Sequence, residues 1–274
     1  MFGNYLENVR NKAPLIHNIT NYVTINDVAN MLFACGARPI MADAPQEAED
    51  ITSACSGLNI NMGMLNESKL EAMLIAGKCS NKLGHSVLLD PVGIGAGSFR
   101  LKAAMKLLDN IKFDVIRGNM SEIKVIASGG RNNSGVDADV KDAVTEENVS
   151  KTAEFIMKLA IERECIIAVT GEIDIVSDGK HCCIIRNGRP EMKRITGTGC
   201  QLSGMITAFI SSNPENKFEA AAAAVCTMGA AGEIGFANMQ PNDGNSAYRS
   251  RIIDAVYNMT GEVLDREARY DIKS

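Results

Sequence analysis

Four short segments hold the residues whose types and spacing can do chemistry. In "DPVGIGAGS", Asp90 stands directly before Pro91. A carboxylate placed there can orient a magnesium ion or its waters, and a solvated turn aspartate is the plainer reading. In "RGNMSEI", Arg117 carries the forked guanidinium that grips phosphate oxygens in pairs, and Glu122 can stand beside Asp90 near a metal. Asn119 with Glu122 is also a capping box, and both readings hold together, because a first helical turn lies at the end of the preceding strand. In "AVTGE", the Thr170 hydroxyl can meet a nucleotide phosphate or simply mark a strand exit. In "ITGTGCQLSG", Gly197 and Gly199 form a turn whose backbone N–H groups, with the following helix N-terminus, can make an anion hole. Cys200 stands at its lip as a general base, a covalent nucleophile or a small lining residue.

Other phosphate and dinucleotide motifs are missing. No G-x-x-x-x-G-K-[ST] occurs, so phosphate needs a turn of the "TGTGC" kind. Gly93, Gly95 and Gly97 do not complete a G-x-G-x-x-G fingerprint. Ser98 holds the last glycine position, and the helix is expected only after Phe99 and Arg100.

The elements that must position these residues follow from periodicity. "PLIHNITNYVTINDVANMLFACGA" reads as a loop and then a helix with Val28, Met31, Leu32 and Cys35 on one face. "ARPIMAD", "GLNINMGML", "SVLLD", "DVIRGN" and "CIIAVTG" read as strands, separated by helices over "AEDITSACS", "SKLEAMLIAGKCSNKLG", "LKAAMKLLDNI", "SEIKVIASG" and "TEENVSKTAEFIMKLAIERE". In the second of these helices Leu70, Met73, Leu74 and Ala76 make the apolar stripe. "IDIVSDGKHCCIIRNG" reads as two strands joined by Asp178-Gly179, and everything after "TGTGC" as mostly helical. Alternating strands and helices predict an α/β fold: a mainly parallel central sheet, helices on both faces, and an antiparallel hairpin near one edge. No linker or repeat interrupts the chain, so residues 1–274 are expected to form one domain. In such sheets ligands bind beyond the carboxyl ends of the strands, where the four segments fall.

Composition excludes other classes. The 274 residues carry a net charge of −5, which argues against the basic face of a nucleic-acid binder. "MFGNYLENVRNKA" contains no apolar h-region. "AAAAAVCTMGAAGEIGFA" contains Glu233 and is expected to be too short and too weakly apolar for a bilayer, hence a buried helix. Eight cysteines without a C-x-x-C, and only three histidines, argue against a thiol-rich zinc site. Cys182 and Cys183 would face opposite sides of a strand. Reduced, mostly buried cysteines and a cytoplasmic location are the expectation.

Together the segments resemble the ribokinase-like superfamily and, within it, the hydroxyethylthiazole kinases of thiamine salvage. The resemblance runs through "PLIHNITNYV", "PIMADAPQEAED", "LNINMG", "VLLDPVGIGAG", "VIRGNMSEI", "AVTGEIDIVSDG" and "ITGTGCQLSG". It departs at Ile94 and Met120, where small residues are common. It implies transfer of the γ-phosphoryl group of ATP to the primary hydroxyl of 4-methyl-5-(2-hydroxyethyl)thiazole. By match, Asn21 and Met41 would line the thiazole pocket, and Gly197 and Cys200 would flank the accepting hydroxyl. Arg117, Thr170 and Gly199 would hold ATP, and Asp90 and Glu122 would organise Mg²⁺. It also implies a homotrimer with active sites between subunits, in a protein that engages neither nucleic acid nor membrane. Wider relatives carry an aspartate base where Cys200 stands. Other members dehydrate hydrated nicotinamide cofactors with ATP or ADP, which is the alternative activity for this fold.

Overall fold

A computed structural model describes residues 1–129 and 143–273. Among these residues the strands are β1 (Leu15–Ile19), β2 (Arg38–Met41), β3 (Gly57–Asn61), β4 (Ser86–Asp90), β5 (Val115–Gly118), β6 (Ile166–Val169), β7 (Asp174–Ser177), β8 (Cys182–Ile185) and β9 (Tyr270–Lys273). The helices are α1 (Gly3–Lys12), α2 (Ile25–Cys35), α3 (Ala48–Ala54), α4 (Glu67–Leu83), α5 (Ser98–Asn110), α6 (Met120–Ser128), α7 (Val149–Arg163), α8 (Thr198–Ser212), α9 (Lys217–Ala237), α10 (Asn245–Asn258) and α11 (Gly261–Glu267). One sheet runs β2-β1-β3-β4-β5-β6-β7-β8-β9. The first six strands pair in parallel and the last four are joined antiparallel.

Two apolar layers cover the sheet. One buries Leu58, Ile60, Val87 and Leu89 against Met73 of α4, Leu107 of α5 and Ile156 of α7. The other buries Ile16, Leu88 and Val115 against Leu32 of α2, Met205 and Phe209 of α8, and the alanines of α9. Cys182 belongs to the first layer and Cys183 to the second, as the pleat requires. All eight cysteines are free and buried.

Several local expectations give way to tertiary contacts. "LIHNI", which reads as loop, is the buried strand β1, because β2 and β3 pair with it on both sides. β9 interrupts the helical C-terminus. It is mostly exposed, and it forms because β8 offers it an unpaired edge. The hairpin turn spans the four residues Asp178–His181, with Asp178 Oδ1 accepting the Lys180 and His181 N–H groups. On α4 the buried stripe is rotated to Lys69, Ala72, Met73, Ala76 and Gly77, leaving Leu70 and Leu74 half-buried. α5 opens at Ser98, directly after Gly97 and not after Arg100, but position 98 still lacks the glycine and a short helical turn over Ile94–Ala96 stands between β4 and α5. The apolar helix is longer than expected. Pro214–Ala237 spans 24 residues and contains an 18-residue window of mean hydropathy 1.4, enough by length and composition to cross a bilayer, yet 78% of that window is buried inside the fold.

Candidate active site

The carboxyl ends of β1, β3, β4, β5 and β6 converge on the N-terminus of α8, and the side chains there form one connected network. β3 alternates Leu58 and Ile60 with Asn59 and Asn61, so its second face presents amides toward α8 within an otherwise apolar layer. Asn61 lies opposite Asp90 in the parallel register of β3 and β4. Its Nδ2 donates to Asp90 Oδ2 at 2.9 Å and to Cys200 Sγ at 3.3 Å, while its Oδ1 accepts the Gly63 N–H at 2.9 Å. Asn21, just past β1, donates to Cys200 Sγ at 3.2 Å and to Asn61 Oδ1 at 3.3 Å. Its own Oδ1 is held by the Thr24 N–H and hydroxyl.

Asp90 is fully buried. Its Oδ2 accepts from Ser203 Oγ at 2.7 Å as well as from Asn61, and Arg117 Nη1 lies 3.5 Å away. Burial pushes this carboxyl above its usual range, and Arg117, Ser203 and Asn61 pull it back. Its Oδ1 finds no hydrogen-bond partner among the described residues. Glu122 forms the capping box with Asn119, and its two oxygens accept the Gly93 N–H at 3.0 Å and the Asn119 N–H at 2.9 Å. Its charge opposes ionisation of Asp90. Among the described residues no three His, Cys, Asp or Glu side chains gather as a metal site. Magnesium needs no such cage, since it keeps waters and binds one or two carboxylates together with substrate phosphates. The unpartnered Asp90 oxygen fits that mode of binding.

Arg117 lies on β5, and its Nη2 donates to Thr170 Oγ1 at the end of β6. A side chain on Gly199 would collide with the guanidinium, its Cβ falling 2.6 Å from Nη1, so glycine lets the helix N-terminus close on Arg117. Gly197, the residue before α8, has φ +87°, which glycine adopts without strain, and no side chain caps the helix. The N–H groups of the first turn therefore have no intrahelical partner. Arg117, Thr170 and Gly199 line a cleft of about 640 Å³ together with Leu202, Met192 and Met228. Asp174 at the start of β7 also lines it, and burial pushes its carboxyl up to about 7.

Cys200 is 9% exposed. The helix N-terminus is expected to lower the pKa of this thiol, but burial and the Asp90 charge raise it, outweighing the hydrogen bonds from Thr24, Asn21 and Asn61. Met41 stands apart from this network. It ends the edge strand β2, half-buried, across from Asn18 of β1. Asn61 and Ser203 lie inside the quoted motifs, but their sequence contexts give them no role. The available signal was an asparagine on an interior face of a buried strand, which needs a specific polar partner. Lys69 escaped for the opposite reason, since a lysine in an ordinary helix reads as surface. It is 1% exposed, and its Nζ donates to Thr20 O at 2.8 Å, pairs with Asp43 at 3.3 Å and lies 4.0 Å from the Tyr22 ring centre.

A parallel sheet with an antiparallel edge and a glycine-rich turn over its strand ends is the ribokinase-like arrangement. A ribokinase-like superfamily protein from Enterococcus faecalis superposes with a TM-score of 0.61 at 13% identity, over 96% of this chain and 89% of its own. The chain belongs to the hydroxyethylthiazole kinase family, whose model matches residues 6–262. The hydroxyethylthiazole kinase of Clostridium acetobutylicum is 53% identical over 271 residues, 99% of each chain. The solved structure of a hydroxyethylthiazole kinase from Pyrococcus horikoshii OT3 has a TM-score of 0.88 at 30% identity, covering 100% of this chain and 99% of that one.

Proposed function

We propose that this protein transfers the γ-phosphoryl group of ATP to the hydroxyethyl oxygen of 4-methyl-5-(2-hydroxyethyl)thiazole. Family membership carries the phosphotransferase reading, and the Asn61-linked pair of Asp90 and Cys200 under the α8 N-terminus supports the location of the chemistry. Membership of the kinase family also disfavours nicotinamide-hydrate dehydration as the activity.

The alcohol oxygen forms its bond to the γ-phosphorus as the bond from that phosphorus to the β-bridging oxygen breaks, and the hydroxyl proton departs toward Cys200. Phosphoryl transfer is dominated by positioning and charge neutralisation. Arg117, Thr170 and the open N–H groups at Gly199 hold phosphate oxygens, and Gly197 leaves room for the accepting alcohol beside Cys200. Asn21 and Met41 border the thiazole. Asp90, with Glu122 behind it, would hold Mg²⁺, which neutralises phosphate charge when bound. The raised pKa of Cys200 leaves little of it as the thiolate that can accept this proton, so its contribution as a base is small. That suits a loose transition state in which the alcohol proton leaves late.

A homotrimer with shared sites is supported by the open surroundings of the thiazole residues. Tyr22 and Val23, next to Asn21, are 52% and 68% exposed, and Met41 ends an edge strand. Free cysteines and the use of ATP support a cytoplasmic location. A sheet threaded from Leu15 to Lys273 supports one domain. The test is ATP consumption with hydroxyethylthiazole, compared with pyridoxine, ribose and hydroxymethylpyrimidine, with and without Mg²⁺. Turnover should be confined to the thiazole, should need the metal, and should collapse in Asp90→Asn. Equal turnover of another alcohol would overturn the substrate assignment.

A further inference from the structure

We propose that Glu233, in the last two turns of α9, is a positioning residue for the nucleotide: it holds the Asn187–Arg189 wall of the cleft in the shape that the base end of ATP requires. This rests on the nucleotide reading of that cleft.

An acid on a helix this buried needs partners, and Glu233 has three. Its Oε1 accepts the Gly188 N–H at 2.6 Å and Arg269 Nη2 at 2.6 Å. Its Oε2 accepts Arg269 Nη1 at 2.9 Å and Asn187 Nδ2 at 3.5 Å. Arg269 Nη2 also donates to Arg186 O at 2.8 Å. Asn187 is 4% exposed, donates to Glu267 O at 2.9 Å, and accepts the Arg269 N–H at 2.7 Å. The turn after β8 is thus tied at once to α9 and to the segment leading into β9.

The same face of α9 makes room for the turn. Gly229 lies one helical turn before Glu233, and a Cβ there would fall 2.5 Å from Asn187 Cβ and 2.8 Å from its carbonyl carbon. Asn187, Gly188 and Arg189 line the cleft together with Val225, Met228 and Gly229. Arg117, Thr170 and Gly199, which surround the phosphates in the proposed reading, line the same cleft, and among the described residues no hydrogen bond joins them to the Asn187 side chain. A shift of the Asn187 wall therefore changes how tightly the nucleotide binds and leaves the reacting end in place. The Glu233–Arg269 pair is itself partly exposed, at 20% and 54%, so its worth to stability is small. Its worth lies in the position of Gly188.

The experiment is calorimetric titration of MgATP into the wild-type protein, Glu233→Gln, Glu233→Ala and Gly229→Ala, with steady-state kinetics beside it. Glu233→Ala should raise the ATP Kd about tenfold, the usual cost of losing a charged hydrogen-bond partner. Gly229→Ala should do likewise by pushing the wall, without touching a charge. Glu233→Gln keeps an acceptor for Gly188 and should recover part of the loss. KM for ATP should follow Kd, while kcat at saturating ATP and KM for the alcohol stay near wild type. Unchanged Kd in both alanine variants, or a fall in kcat without a change in Kd, overturns the proposal. A wild-type protein that does not bind MgATP overturns the nucleotide reading itself.

Discussion

Asn61 Nδ2 stands 2.9 Å from Asp90 Oδ2, across the register of two neighbouring strands, and spends its second hydrogen on the Cys200 sulfur at 3.3 Å. The Gly63 N–H on Asn61 Oδ1 fixes which end of the amide faces which group. One side chain therefore couples the carboxylate to the thiol.

Removing that coupling should cost activity more than stability. Asn61→Ala should lower kcat by about 10–100-fold, the kinetic equivalent of a lost hydrogen bond to a charged group. Asn61→Asp should be worse, since it sets a second carboxylate against Asp90. Steady-state rates beside a melting curve check this, and an Asn61→Asp protein with wild-type kcat would contradict the network.

Cys200 should be helpful rather than indispensable. General-base contributions run to about 10²–10⁴-fold, and a thiol with a raised pKa belongs at or below the low end. Cys200→Ala should retain measurable turnover, Cys200→Asp should stay active, and Cys200→Ser should not exceed wild type. ATP–ADP exchange without an alcohol would point instead to a phosphocysteine. Complete loss of turnover in a folded, ATP-binding Cys200→Ala protein would make the thiol essential.

Lys69 should tune the thiazole side. It grips Thr20 O and the Tyr22 ring, the two neighbours of Asn21, while Tyr22 hydrogen-bonds Asp43. Lys69→Met strands these groups and should cost about 1–3 kcal/mol, with Asp43 partly relieved by solvent. KM for the thiazole should rise while KM for ATP holds. A variant with wild-type stability and KM would show that the loop holds itself.

Stability should fall on acidification through the histidine range. His17 is buried between Thr52 Oγ1 and Ala42 O, and burial holds its pKa below the usual 6.5. Burial shifts His85 in the same sense. The unfolded chain then binds more protons than the folded one, so the stability present above about pH 6.5 is lost below it. Asp90 and Asp174 act oppositely, because their folded pKa values are raised and protonation favours the folded form; with Asp174 pushed up to about 7, its gain overlaps the histidine range. Melting temperatures from pH 8 to 5 in an Asp174→Asn background should show the fall, His17→Gln should flatten its share, and a flat profile in that background would contradict the assignment.

The layered α/β plan is legible in the order of residues alone. Apolar runs such as "SVLLD" and "CIIAV" mark buried strands, Asp178-Gly179 marks the hairpin, and Gly197 and Gly199 mark a helix start that can meet an anion. These signals are local, carried by periodicity and by the few residues a turn tolerates. What joins distant residues was decided only by tertiary structure. Asn61 meets Asp90 across 29 residues and Cys200 across 139, through strand register and the docking of α8, neither of which leaves a local trace. β1 and β9 exist as strands because neighbours offer paired edges, Lys69 is buried because a loop supplies its partners, and Glu233 turns inward because Gly188 and Arg269 await it. The direction of the Cys200 pKa shift belongs to the same class. The helix start is written in the sequence, but the burial and the Asp90 charge that outweigh it arise only when the chain has closed around them.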